Sequence, residues 1–262
     1  MDRNVQMYRR KKKEGKTDSP NTSCDFVHVV TFLMLVRCAG AVNLGRAKRA
    51  RFTRSVAAMA SPAARKTALV AMADDSEEIE TASIVDILRR ADVDTMLVSV
   101  EDNRLLCKLS RGMSFQADAL ITDVAGKTFD LIALPGGMPG ATRLRACAQL
   151  CSLLTAQAAS GRLVAAVCAS PAVVLAPLGL LEGKHCTAHP AFADKLPSQA
   201  SVAAPVVRDG QVITSRGPGT SLSFALACVA ALFDDATAAR VAAPMVLPQA
   251  SAPVQPCEWR LS

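Results

Sequence analysis

The chain has 262 residues, half of them hydrophobic, which is enough for one sizeable domain and an appendage. Its net charge of +7 comes from the N-terminal part, because residues 1–66 carry 15 Lys/Arg against 4 Asp/Glu and residues 67–262 carry 15 against 19. The remainder is mildly acidic and poor in aromatic residues, so we expect no nucleic-acid partner.

Residues 1–65 have the features of a leader segment rather than of a folded core. A basic run, RRKKKEGK, precedes the apolar run FVHVVTFLMLV, whose 11 residues are too few to cross a bilayer, so we expect no membrane span. The acid-poor Arg/Ala/Ser stretch that follows is typical of an organelle transit peptide. A working start at Met59 and a secretory signal are the alternatives. We expect a cytoplasmic protein, or a plastid or mitochondrial one if the extension is a transit peptide.

Residues 66–248 alternate short apolar runs with amphipathic segments, and residues 249–262 form a tail. The apolar runs predict strands over 67–73, 94–100, 129–135, 161–168, 202–208 and 211–216. The amphipathic segments predict helices over 76–91, 140–159, 169–178 and 218–233. Weak alternation over 104–123 indicates a small antiparallel excursion, and RDGQ (208–211) indicates a hairpin turn. This order predicts an α/β fold, a three-layer sandwich with a mostly parallel sheet.

Functional sites of such folds form beyond the carboxyl ends of the strands, where the motif ADDSEEIE opens helix 76–91. On this helix Glu80 shares a face with apolar residues, whereas Glu78, Asp86 and Arg89 fall on the outer side. The helix dipole favours acids in the first turn, but it does not explain a carboxyl on the inward face. We expect Glu80 to be half-buried, with a raised pKa, and able to exchange a proton with a neighbour.

The motif LPGGMPG (134–140) ends a second buried strand. Glycine permits a tight turn here, and the N–H groups of Gly136 and Gly137 are also free to approach a developing oxyanion. Taken alone, this motif does not distinguish a turn from a binding loop.

A third strand end, in AAVCASPAVV (165–174), places Cys168 between a strand and a helix. Buried free cysteines are usually inert, but a strand-to-helix elbow exposes the nucleophile in other α/β enzymes. We expect the helix N-terminus to lower the pKa of this thiol. His189 follows KHCTA, which indicates another strand end. Cysteine, carboxyl and histidine at the ends of separate strands form the set that covalent catalysis needs.

The nine cysteines form an odd set without a CxxC pair. Cys147 and Cys151 are four residues apart in a predicted helix, and no His or second Cys pair accompanies them at zinc spacing. We expect no metal site and no disulfide framework, which favours a reducing compartment for the domain.

Five motifs in series resemble the DJ-1/PfpI superfamily, specifically the Parkinson-disease deglycase branch and its plant relatives. They are ALVAMADDSEEIE, LIALPGGMPGA, AAVCASPA, TAHPAFADKL and VITSRGPGTSLSFALA, and they span about residues 66–248. The resemblance implies a flavodoxin-like sandwich that forms a homodimer. Ser170 stands where the animal proteins have Gly after Cys-Ala, and CASPA is similar to the plant form.

The resemblance also implies roles for individual residues. The nucleophile of the family matches Cys168, the carboxyl that hydrogen-bonds its sulfur matches Glu80, and its histidine matches His189. Further matches bind the substrate or its oxyanion: Gly136, Gly137, the N–H of Ala169, and the arginines Arg90 and Arg111 near the dimer contact.

By resemblance, we expect a glutathione-independent glyoxalase and protein deglycase that needs no cofactor. Its partners would be glyoxal, methylglyoxal and their early glycation adducts on amines or thiols. The alternative is an oxidative-stress-sensing redox chaperone, in which the same thiol oxidises to a sulfinate held by protonated Glu80. Proteolysis is disfavoured, because the protease branch carries His directly after the cysteine and position 169 is Ala.

Overall fold

The computed structural model describes residues 65–247. The predicted extension, apart from Arg65, and the predicted tail lie outside these residues. In the described range, the strands are β1 (Thr67–Met72), β2 (Asp94–Ser99), β3 (Leu106–Lys108), β4 (Ser114–Gln116), β5 (Ala119–Leu120), β6 (Leu131–Leu134), β7 (Leu163–Val167), β8 (Val206–Asp209) and β9 (Val212–Ser215). The α-helices are α1 (Glu78–Arg90), α2 (Gly140–Ala146), α3 (Ala148–Ala159), α4 (Ser221–Leu232) and α5 (Asp235–Ala242).

Seven strands form one sheet in the order β5-β2-β1-β6-β7-β9-β8. All neighbours pair in parallel except β8 and β9, which form an antiparallel hairpin through Gly210. β3 and β4 pair with each other as a separate antiparallel ribbon. The predicted parallel sheet, the hairpin at 208–211 and the excursion at 104–123 are therefore confirmed.

The sheet is covered on both faces, as the side chains of β1 show. Ala68, Val70 and Met72 belong to one apolar cluster, which includes residues of α1, α4 and α5. Leu69 and Ala71 belong to a second cluster, which includes residues of α2 and α3. Because successive side chains of a strand point to opposite faces, a strand buried on both faces must be apolar throughout. The molecule is a three-layer α/β sandwich of the flavodoxin-like type.

Helix α1 positions the acidic motif. Its N-cap is Glu77, whose carboxylate accepts a hydrogen bond from the Glu80 N–H at 2.8 Å. Its inward face buries Ile84, Ile87 and Leu88 completely against the sheet. The side-chain cap and this apolar stripe together fix both the start and the rotation of the helix.

Two of the predicted helices differ from the structure. The segment 140–159 is interrupted at Cys147, whose extended backbone separates α2 from α3. The segment 169–178 forms a π-helical turn over Pro171–Leu175 and a 3₁₀ turn over Ala176–Leu178. Helix α5 was not predicted, although Asp234 caps it by accepting from the Thr237 N–H at 2.7 Å.

The first residues of β1 are tied to the residue that precedes β6. The Asp130 carboxylate accepts from the Thr67 N–H at 2.9 Å and from the Lys66 ammonium at 3.0 Å. Burial would raise the pKa of Asp130, but these hydrogen bonds outweigh it and the pKa is lowered. Lys66 and Thr67, at the start of the described range, are therefore held to the residue that precedes β6.

None of the helices between residues 65 and 247 combines the length and apolar character that a bilayer crossing requires.

Candidate active site

Three neighbouring strands end at the same edge of the sheet and bring the predicted motifs together. β1, β6 and β7 are adjacent and parallel, so the segments that follow them meet at their carboxyl ends. These segments carry the acids that begin α1, the Gly136–Gly137 loop and Cys168. The structure thus confirms the predicted edge.

Cys168 occupies a strained elbow directly after β7. Its φ of +64° lies in the left-handed region, which residues other than glycine rarely adopt. Its N–H donates to the Ser215 carbonyl at 3.0 Å, and its carbonyl accepts from the His189 N–H at 2.8 Å. Cys168 is a buried residue of which 9% is exposed. Backbone strain held in place by neighbouring strands is characteristic of functional residues.

Glu80 is fully buried, more deeply than the sequence predicted. Its Oε2 accepts a hydrogen bond from the Gly136 N–H at 2.6 Å, whereas Oε1 is buried without a partner of hydrogen-bonding geometry in the described range. Burial raises the pKa of Glu80 to about 7, and the nearby Glu77 charge contributes in the same direction. The Gly136 N–H and the Cys168 thiol lower this pKa but do not outweigh burial. Glu80 therefore exchanges its proton near neutral pH.

The expected lowering of the thiol pKa is wrong. Burial and the adjacent Glu80 carboxylate raise the pKa of Cys168 to about 12, against an opposing effect of the Gly137 and Ala169 N–H groups. The elbow leads into a single π-helical turn rather than a long helix. The helix dipole that the prediction assumed at Cys168 is therefore small. The Glu80 carboxylate raises the pKa of Cys168 and the Cys168 thiol lowers that of Glu80, so the two groups form a coupled pair.

Only glycine fits the two positions of the loop beside the elbow. A Cβ on Gly136 would lie 2.6 Å from the Cys168 Cβ and 2.9 Å from the Ala169 nitrogen. Gly137 has a φ of +89°, and a Cβ there would lie 2.3 Å from the Asp75 carbonyl oxygen. The close approach allows the N–H groups of Gly137 and Ala169 to hydrogen-bond the Cys168 sulfur.

The structure brings His189 to the elbow through its main chain. The imidazole Nδ1 accepts from the Ala191 N–H at 3.2 Å, and within the described part of the chain Nε2 has no hydrogen-bond partner. Among residues 65–247, no hydrogen bond joins this ring to Cys168 or Glu80. The preceding KHCTA segment is irregular rather than a strand, and its Thr187 N–H donates to the Thr214 hydroxyl at 3.0 Å. A catalytic role of His189 stays a prediction.

The two arginines lie in different places. The Arg111 N–H donates to the Glu78 carboxylate, so the turn between β3 and β4 lies beside the start of α1. The Arg90 guanidinium is exposed at the other end of α1 and pairs with Asp86 at 2.6 Å. Ten residues of helix, about 15 Å, separate it from Glu80. Of these two arginines, Arg111 is the one beside the start of α1, and both substrate-binding roles stay predictions.

The assignment of Glu78 to the outer side of the helix was wrong, because Glu78 is buried and only 4% exposed. Burial would raise its pKa, but the Ser110 hydroxyl, at 2.8 Å, and the Arg111 N–H lower it overall. Glu77 was missed as a site residue. Its spacing of three from Glu80 is that of a capping box, which would have indicated that its carboxylate bonds the Glu80 N–H.

The six cysteines of residues 65–247 are free thiols. In the same range, no three His, Cys, Asp or Glu side chains are grouped to hold a metal ion.

Fold and site together define an α/β sandwich protein that holds a cysteine on a strand-to-helix elbow beside a buried carboxyl. The DJ-1/PfpI family model matches residues 66–231, and the chain belongs to the DJ-1/PfpI family.

Three relatives illustrate the similarity. The chain is 47% identical over 161 residues to the Arabidopsis thaliana protein DJ-1 homolog A, an alignment that covers 62% of this chain and 41% of that protein. It is 36% identical over 173 residues to the Caenorhabditis elegans glutathione-independent glyoxalase DJR-1.2, covering 65% and 90% of the two chains. The structure of oxidised Toxoplasma gondii DJ-1 superimposes with a TM-score of 0.67 at 42% identity, covering 69% of this chain and 98% of that one. The chain thus spans about two fifths of the length of the plant relative.

Proposed function

We propose that this protein is a glutathione-independent glyoxalase and protein deglycase. Its substrates would be glyoxal, methylglyoxal and their early adducts on amines or thiols. The observation that carries the proposal is the coupled pair of Cys168 and Glu80, set beside the N–H groups of Gly137 and Ala169. The relative from Caenorhabditis elegans, which is named as a glyoxalase of this kind, supports it.

The first step forms a covalent bond between the sulfur and the aldehyde. The Cys168 proton passes to Glu80, the thiolate adds to the aldehyde carbon, and the carbonyl oxygen becomes an alkoxide. The N–H groups of Gly137 and Ala169 stabilise this oxyanion until it takes up a proton from Glu80. A carboxyl with a pKa of about 7 is suited to both transfers at neutral pH.

The second step moves hydrogen within the bound substrate. The Glu80 carboxylate removes the proton from the former aldehyde carbon, an enediol forms, and reprotonation at the neighbouring carbon yields a thioester. Water then cleaves the thioester, so methylglyoxal and one water become lactate and the thiol is regenerated. Oxidation of one carbon balances reduction of its neighbour, so we propose that no cofactor takes part. His189 would assist through its free Nε2.

The test is incubation of the purified full chain with methylglyoxal, with lactate measured over time. Cys168→Ser is the nucleophile control. Cys147→Ser is a control for removal of a thiol outside the elbow, because Cys147 is a free cysteine between α2 and α3. We expect lactate from the wild type and Cys147→Ser and none from Cys168→Ser. Absence of lactate from the wild type would reject the proposal.

A second candidate function is a redox-sensing chaperone. Two observations favour it: the Glu80 carboxyl lies beside Cys168, and its Oε1 has no hydrogen-bond partner within residues 65–247. A protonated carboxyl there would donate to a sulfinate oxygen. The related Toxoplasma gondii structure is described as oxidised. Suppression of client aggregation that requires peroxide treatment, without aldehyde turnover, would support the sensor over the enzyme.

We also propose that α1 packs against its copy in a homodimer. The exposed apolar residues Ile79, Leu106 and Met113 lie on α1 and the β3–β4 ribbon. A cleft of 240 Å³ lies between α1, Leu97 and Phe115. These surfaces support a self-complementary contact, as twofold association requires. Cytoplasmic or organellar location stays a prediction, since residues 1–64 would decide it.

A further inference from the structure

Ser170 is a buried hydroxyl that the mechanism above does not use. It follows Cys168 by two residues and is completely buried at the start of the π-helical turn. Its hydroxyl donates to the Pro135 carbonyl oxygen at 2.5 Å. The bond crosses from the elbow after β7 to the loop after β6.

The acceptor belongs to the same peptide unit as the donor to Glu80. The carbonyl of Pro135 and the N–H of Gly136 are the two ends of one planar amide. Ser170 bonds its oxygen, and its N–H donates to Glu80 Oε2 at 2.6 Å. The three groups form a chain that runs from hydroxyl through peptide to carboxyl.

We propose that Ser170 is a positioning residue that acts on Glu80 through the Pro135–Gly136 peptide. A hydrogen bond to the carbonyl polarises the amide and makes its N–H a better donor, because linked hydrogen bonds strengthen one another. It also holds the amide in place, so the N–H stays aimed at Oε2. Where it concerns turnover, this inference rests on the proposed function.

The consequence is a change in where the Glu80 proton is held. A stronger N–H donor stabilises the carboxylate, so Ser170 should counteract the effect of burial on the pKa of Glu80. The titratable groups that act on Glu80 are Glu77, from the start of α1, and Cys168, from the elbow. Both must be identical in the proteins compared.

The test titrates Glu80 in a Cys168→Ser background, in which no thiol shares the proton. Glutamate is labelled with ¹³C at the carboxyl, and its NMR shift is followed with pH and assigned by Glu80→Gln. Adding Ser170→Ala should raise the pKa of Glu80 by about 0.5 unit, the scale expected for one cooperative bond. Ser170→Cys keeps a weak donor and should raise it less.

Ser99→Ala is the matched control, because Ser99 is also completely buried and donates to a main-chain carbonyl, that of Arg104, at 2.7 Å. It should leave the pKa of Glu80 unchanged. An unchanged or lowered pKa in folded Ser170→Ala would overturn the inference and leave the hydroxyl as a partner of a buried carbonyl only. If Ser170→Ala does not fold, Ser170→Cys is titrated instead, and an unchanged or lowered pKa of Glu80 in that variant would overturn the inference.

Turnover provides a separate measurement. With Cys168 restored, Ser170→Ala should shift the acid limb of the kcat–pH profile upward by the same amount and leave KM unchanged. A wild type without methylglyoxal turnover would reject the proposed function, while the NMR titration would still decide the role of Ser170.

Discussion

The carboxyl oxygen Oε2 of Glu80 lies 2.6 Å from the main-chain nitrogen of Gly136, although 56 residues separate the two in the chain. This bond joins the first turn of α1 to the loop after β6. A second bond, from the Glu77 N–H to the Gly136 carbonyl at 3.1 Å, joins the same two segments. The buried acid and the glycine loop are thus fixed to each other by two hydrogen bonds, which is the preorganisation that the proposed electrostatic catalysis would depend on.

Replacement of Cys168 should separate chemistry from folding. Cys168→Ser changes the side-chain volume little but removes the sulfur nucleophile, so we expect methylglyoxal consumption to be lost while the thermal unfolding midpoint stays near that of the wild type. Lactate release and differential scanning fluorimetry measure the two effects. Substantial turnover by Cys168→Ser would exclude a covalent mechanism through this residue.

Replacement of Glu80 should reduce turnover without removing the nucleophile. In Glu80→Gln the amide cannot carry the proton between sulfur, oxyanion and carbon, so we expect kcat to fall by about 100-fold, within the usual range for general acid–base catalysis. Iodoacetamide labelling of Cys168 reports whether the thiol remains accessible. A normal rate in Glu80→Gln would show that Glu80 takes no part in turnover and is only a buried acid at the helix N-terminus.

Glu80 should also make stability depend on pH. Its pKa rises from the ordinary 4.5 to about 7 on folding, so the folded chain holds the proton more tightly than the unfolded chain. The stability from Glu80 is fully present below pH about 4.5 and is lost as the pH rises through about 7. Between pH about 4.5 and 7, the free energy of unfolding measured with urea should fall by about 3 kcal/mol more for the wild type than for Glu80→Gln.

Glu78→Gln is the control for that measurement. The pKa of Glu78 is lowered on folding, so its contribution is present above its ordinary pKa of 4.5 and is lost as the pH falls through the folded value. Between pH about 4.5 and 7, Glu78→Gln should therefore follow the pH dependence of the wild type. If the free energy of unfolding changed with pH in the same way in Glu80→Gln and the wild type, this result would contradict the raised pKa of Glu80.

A methyl group at Gly136 should disturb the site directly. The added Cβ would lie 2.6 Å from the Cys168 Cβ, so Gly136→Ala should cost about 1–3 kcal/mol of unfolding free energy and most of the turnover. In Gly219→Ala the Cβ would meet nothing within 4 Å, and we expect a change within about 0.5 kcal/mol. If the two variants had equal stability and activity, the loop would accommodate a methyl group at position 136, contrary to the structure.

The proposed dimer is tested by charge reversal on α1. Arg90 is exposed and pairs with Asp86, and Arg90→Glu should repel the acids of a facing α1. We expect a lower dimer fraction in light scattering and lower turnover. Arg240→Glu, on the exposed side of α5, should change neither. A monomeric mass of the wild type at micromolar concentration, with full activity, would exclude the dimer.

Much of the fold was predictable because burial on both faces requires strands that are apolar throughout. β1, β6 and β7 are such strands, and each is slightly shorter than its predicted run. The break at Cys147 was not predictable, because no Pro or Gly marks it in the sequence. The turns at 171–178 carried a local signal that was missed, because Pro177 lacks the N–H that a continuing α-helix needs and Gly179 follows in a left-handed conformation.

The part of the site that lies on α1 could be predicted from the pattern of apolar residues on one helix face. Helical periodicity placed Glu80 inward, and the structure places it there. Glu78 was assigned to the outer side because its partners Ser110 and Arg111 come from a ribbon more than 30 residues away. The thiol pKa was missed because burial and the adjacent Glu80 carboxylate outweigh the helix dipole. Long-range contacts of this kind leave no local pattern.

The contact of Asp130 with Lys66 and Thr67 sets a practical boundary for producing the domain. A recombinant chain that starts at Lys66 keeps the ammonium, the Thr67 N–H and the Thr67 hydroxyl, which lies 3.1 Å from the same carboxylate. A start at Ala68 removes all three and leaves the Asp130 charge without these partners beside the first pair of central strands. Vectors for crystallisation or labelling should therefore begin no later than Lys66, even though the ADDSEEIE motif begins several residues further on.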